Sequence, residues 1–177
     1  DEPPPPPHVP KPAQQRTRNT RAEVEPLVQP DDSHYELPVV HLVLPVLGDG
    51  LAALRLDNDA ADGEPAERIP ASGLTDGHIA LLNRLVAMGT AKRARIEALL
   101  FEHYRLCAGV TDYGVIKNPI DDPFDLPTPA AAYERAGFRE VLLSADGRLA
   151  RFVFYPVCED EHGCLIEWRD GAFTPSN

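Results

Sequence analysis

The amino-acid sequence predicts an α+β domain: an antiparallel β-sheet with a helical pair inserted between its N-terminal and C-terminal strands, preceded by a disordered Pro-rich arm. Three observations carry that expectation. Apolar runs of β type lie before residue 57 and again after residue 137. Between them, two stretches repeat apolar residues at three- and four-residue spacing, the period of a helix with one buried face. Prolines crowd the start of the chain, with an unbroken run from Pro3 to Pro7 and then Pro10, Pro12, Pro26 and Pro30.

In chain order, residues 1–33 read as an arm or linker, because proline favours extended backbone and the segment has too little apolar surface to offset the entropy of ordering. Only the patch from Glu23 to Val28 has the character to dock on a domain. Residues 34–177 read as a single α+β domain. Residues 39–44 form a β-branched run bracketed by Pro38 and Pro45, which suits an edge strand. Gly48, Asp49 and Gly50 turn the chain into a second strand at 51–56. An acidic loop follows. Its Asp57 and Asp59 glance at a calcium loop, but Ala61 stands where a third oxygen ligand belongs and Asp62 where glycine is needed, so calcium is not expected.

Thr75 caps the first helix, whose stripe is Ile79, Leu82, Leu85 and Val86, and Gly89 closes it. Thr90 opens the second, with Ile96, Leu99, Leu100, His103, Tyr104 and Cys107 on one stripe. Residues 109–127 are rich in turn formers. Thr128 and Pro129 start a short helix that Gly137 stops, and residues 138–143 form a strand. After the Asp146-Gly147 turn comes a hairpin. Its first arm, 152–158, is apolar at both parities, as in a strand covered on both faces near the middle of a sheet. Its second arm puts Cys164, Ile166 and Trp168 on one side and Leu165, Glu167 and Arg169 on the other. A last short strand follows at 172–174.

Composition narrows function. Lys and Arg number 17 against 28 Asp and Glu, a net charge of −11, which repels phosphate backbones and anionic membranes and favours a basic protein partner. Neither a membrane-span nor a signal-peptide pattern is present, and a chain beginning at Asp1 leaves a removed leader open. Three cysteines are too few for a disulfide framework, which points to a reducing compartment, the cytoplasm. With a five-residue turn, Cys158 and Cys164 would face each other, so a bridge between them is open under oxidising conditions. No Walker loop, nucleophile elbow or paired-histidine zinc helix occurs.

The densest polar cluster is Glu159, Asp160, Glu161 and His162, at the hairpin turn. A solvated turn of this kind is suited to partner contact, and Asp57, Asp59 and Asp62 are expected to support it. A thiol enzyme using Cys158, His162 and Glu161 is the alternative, with an accessory module tethered by the Pro-rich arm as a third reading. No cofactor and no metal are expected: His103 and Cys107 would ligate zinc only if Cys158, His162 or Cys164 came near.

The stretch from Phe152 to Gly171, with its acidic turn before His162-Gly163, resembles a group of uncharacterised bacterial domains in which a strand runs into a D-E-E-H-G turn. Many of these are encoded in polymorphic-toxin immunity loci. The helical region ending at Glu102, His103 and Tyr104 is similar to that family's helical pair. Where the family commonly carries Trp just before the turn, this chain has Cys158 and Glu159; where its first helix often carries Gln, this chain has His78. The resemblance implies an immunity-type protein that binds and neutralises a cognate toxin by charge-complementary docking, with no catalytic group.

Overall fold

Alternation along the strands decides which side of the sheet is wet, and the strand register stacks the apolar sides together. The computed structural model describes residues 18–30, 37–108, 125–158 and 162–176. Its six strands are β1 (Val39–Val43), β2 (Leu51–Leu56), β3 (Phe138–Leu143), β4 (Leu149–Phe154), β5 (Cys164–Arg169) and β6 (Ala172–Pro175). They lie side by side in chain order. Every neighbouring pair is antiparallel except β2 and β3, which run parallel over Leu54↔Val141, Arg55↔Leu142 and Leu56↔Leu143. The helices are α1 (Arg21–Val24), α2 (Asp76–Ala87), α3 (Arg93–Ala108) and α4 (Pro129–Glu134). The last three form the crossover that a parallel pair requires. The expected α+β architecture is present, with one parallel joint in an otherwise antiparallel sheet.

One cross-strand row runs Val40, Leu54, Val141, Phe152, Ile166; the next runs Leu56, Leu143, Ala150, Trp168, Phe173. All ten are buried, in one cluster with Leu81, Leu82 and Leu85 of α2 and Ile96, Leu99 and Leu100 of α3. Arg55, Arg151 and Glu167 project from the opposite side, where Arg151 bonds Glu167 at 3.1 Å and Arg55 bonds Glu140 at 2.5 Å. β4 is therefore central and buried at both parities, as its composition predicts: Phe152 and Phe154 enter the main core, and Leu149 and Val153 on the other face are buried outside it. No helix among the described residues is long and apolar enough to cross a membrane.

Three expectations change. The first concerns the arm. Its described part, residues 18–30, packs on the domain: Val24 is 1% exposed within the main core, Asn19 and Asn83 bond each other, and Gln29 pairs with Val39. The folded unit thus reaches back beyond residue 34. The second concerns the hairpin. Its first strand is Leu149–Phe154 and not 152–158, because Pro156 has no N–H to give the ladder. Phe154, not Cys158, lies opposite Cys164, so the two cysteines are not cross-strand partners, and none of the three cysteines is in a disulfide. The third concerns α2, whose buried face is His78, Leu81, Leu82 and Leu85. Ile79 and Val86 sit at its margin, displaced because the His78 ring takes a core position.

Candidate functional site

Strand direction separates the predicted site residues. The loop holding Asp57, Asp59 and Asp62 leaves the C-terminal end of β2, the same end as the β3–β4 turn: Ala145 N–H bonds the Asp59 carbonyl at 2.8 Å, and Ala61 N–H bonds the Asp146 carboxylate at 3.1 Å. The hairpin turn leaves the other end of β4, roughly 17 Å away along a six-residue strand. The Asp57 loop and His162 therefore lie at opposite ends of the sheet. Asp57 accepts from the Asp59 N–H and Asp62 from the Glu64 N–H, so both serve the loop's own turns. Of the turn residues, Glu159, Asp160 and Glu161 lie outside the described residues, and His162 is exposed.

Around His162 the chain builds a groove of about 280 Å³ between α3 and the outer strands, lined by His103, Leu106, Cys164 and Leu165 among others. Leu106 is 69% exposed and Leu165 38%. Gly163 makes the re-entry into β5 possible: its φ is +73°, and a Cβ there would stand 2.8 Å from the Phe154 carbonyl. A larger groove, about 390 Å³, lies at the opposite end beside Trp168, Met88, Arg84 and Lys92, and no thiol or imidazole lines it.

Beside the hairpin groove is a thiol and imidazole cluster. On α3, His103 and Cys107 stand one turn apart on the same side, with Nε2 and Sγ 3.4 Å from each other. Beneath them, Tyr104 accepts the Leu126 N–H at 3.1 Å and forms a second apolar cluster with Leu126 and Ala132. Val157 and Cys158 pack against that cluster, which draws the chain leaving β4 over the end of α3. As a result the ligand atoms of His103, Cys107 and Cys158 all lie within 4.8 Å of one another. The condition that spacing alone left open, an approach by Cys158, is met in space. Burial, with Cys107 close by, pushes the Cys158 thiol up to about 12, and burial pushes Cys164 up to about 11. Both are protonated near neutral pH, without the thiolate that a thiol enzyme requires.

His78 carries a network that reading the sequence missed. Its backbone N–H bonds Thr75 Oγ1 at 3.1 Å, and its Nδ1 accepts the Thr75 N–H at 3.0 Å, a reciprocal cap on α2. Nε2 lies 3.0 Å from both the Asp57 and the Leu143 carbonyls, so the ring is neutral with its hydrogen on Nε2. Thr75 followed three residues later by His78 has the capping-box spacing, and that was the available signal.

Compared with protein-family models, curated proteins and solved structures, the chain matches none.

Proposed function

We propose that this chain is an immunity-type binding protein, which docks on a basic cognate toxin in the cytoplasm and blocks it without catalysing any reaction. The observation that carries the reading is the exposed apolar pair Leu106 and Leu165 in the same groove as His162. Large exposed apolar side chains with a polar rim are the usual make-up of a protein contact. Glu102 puts a carboxylate on that groove, and Glu159, Asp160 and Glu161 directly precede His162 in sequence. A net charge of −11 steers a basic partner toward it, and complementarity of shape and charge is all that occlusion of a toxin needs. Asp57, Asp59 and Asp62, at the other end of the sheet, add to the long-range field and not to the contact.

The test is to read the genes that flank this chain's own and to co-express it with a toxin found among them. The wild-type chain should restore growth, and the pair Leu106→Asp and Leu165→Asp should abolish the rescue while leaving the chain folded. With purified partners, Asp160→Lys with Glu161→Lys should slow association on the order of tenfold and flatten its salt dependence. Absence of rescue by the wild-type chain, or association that ignores all four substitutions, would refute the reading.

A further inference from the structure

We propose that His103, Cys107 and Cys158, joined by Cys164, form a binding site for a zinc-like divalent cation that ties the hairpin turn to α3. The inference stands apart from the docking reading and needs no partner.

Three lines of geometry and chemistry lead to it. First, the spacing fits. In a tetrahedral zinc site with Zn–S near 2.3 Å and Zn–N near 2.05 Å, neighbouring sulfur and nitrogen ligands are separated by about 3.6 Å and two sulfurs by about 3.8 Å. His103 Nε2 and Cys107 Sγ are already 3.4 Å apart, and the three-atom group lies within 4.8 Å. Closure around an ion therefore asks for shifts on the order of 1 Å or less. Second, the donor set is selective. Two thiolates and an imidazole suit zinc and disfavour the hard, oxygen-seeking ions such as magnesium and calcium. Third, the ligands come from separate parts of the fold. The pair on α3 has i,i+4 spacing, and the other two flank the hairpin turn, so one ion would cross-link helix and turn.

Cys164 is assigned the fourth position. It lies on the helix-covered face of β5 and lines the groove with His103 and His162, outside the group of three, so its sulfur has to swing toward the ion on binding. The coordination step balances simply: each cysteine loses its S–H proton to solvent as its sulfur forms a bond to the ion, and neutral His103 binds through Nε2. No oxidant or reductant takes part.

The experiment uses the full chain, reduced and stripped with a chelator, then titrated with cobalt(II) and with zinc. One equivalent of cobalt should give the intense visible bands of a tetrahedral site and a sulfur-to-metal charge-transfer band, and zinc should displace it. Zinc should also shield the three thiols of the wild-type chain from alkylation, a readout that depends on no variant folding. His103→Ala, Cys107→Ser and Cys158→Ser should each weaken binding by at least about a hundredfold, the upper range seen for loss of mere outer-shell partners. Cys164→Ser should remove about a third of the charge-transfer intensity, one thiolate of three. Weak octahedral cobalt spectra, thiols as reactive with zinc as without it, or full binding by Cys158→Ser would overturn the site. Undiminished charge transfer in Cys164→Ser would overturn the fourth ligand.

Discussion

A single ring illustrates how residue chemistry is set by its surroundings. His78 is fully buried, with Nδ1 accepting from the Thr75 N–H and Nε2–H directed at two carbonyls. Protonation would add a hydrogen at Nδ1, where a donor already points. Burial lowers its pKa below 6.5, outweighing the Asp57 and Leu143 carbonyl bonds and the Asp57 charge, which pull the other way. As pH falls, the unfolded chain therefore takes up the proton before the folded one does. His78 contributes its stability in full above 6.5, and that contribution drains away as pH falls from 6.5 toward the lowered folded value. His78→Gln preserves an acceptor and a donor without the titration. It should cost about 1–2 kcal/mol at neutral pH, and the gap to wild type should narrow as pH is lowered to about 5. Chemical denaturation across that range checks it; a gap independent of pH would refute the assignment. The residue pattern showed His78 as the third residue after a cap, and nothing in it marked the ring as buried. Its burial depended on two carbonyls, Asp57 in the loop after β2 and Leu143 in β3, that no local pattern encodes.

At the scale of elements, regular segments were legible and their docking was not. Thr75 and Thr128 each accept an N–H three residues on, and β3 spans Phe138–Leu143 as its apolar run predicts. These are local signals, carried by a few residues in a row. The N-terminal arm shows the opposite case. A four-residue helix such as α1 has no independent stability, so composition alone reads it as coil. Its order comes from outside: Val24 enters the core, Arg21 bonds the Leu74 carbonyl at 2.7 Å and Asp76 at 2.8 Å, and Asn19 clasps Asn83. Val24→Ala should therefore destabilise the whole domain by about 2 kcal/mol, two buried carbons and the void they leave. Leu27→Ala, three residues on and 44% exposed, should cost about 0.5 kcal/mol or less. Thermal melts of the two variants separate docking from general arm effects; equal losses would mean that α1 is not seated as described.

Across the whole molecule, the parallel joint between β2 and β3 unites the N-terminal hairpin with the C-terminal meander, and Arg55 reaches across it to Glu140. Their side chains are 11% and 6% exposed, so removing one leaves the other charge without its partner in a dry place. Glu140→Gln should cost about 3–5 kcal/mol, and pairing it with Arg55→Met should recover most of that loss. Equilibrium unfolding of the single and double variants decides this; additive losses would exclude a coupled pair. The sequence by itself determined the fold class, the order of strands and helices, and the acidity of the surface, because hydrophobic period, turn residues and net charge are properties of neighbouring residues or of simple sums. Only the tertiary structure decided that Asp57, Asp59 and Asp62 lie at the far end of the sheet from His162, and that His103, Cys107 and Cys158 meet. Both outcomes follow from strand direction and from where the chain crosses over α3, and contacts between residues some fifty positions apart leave no trace in local spacing.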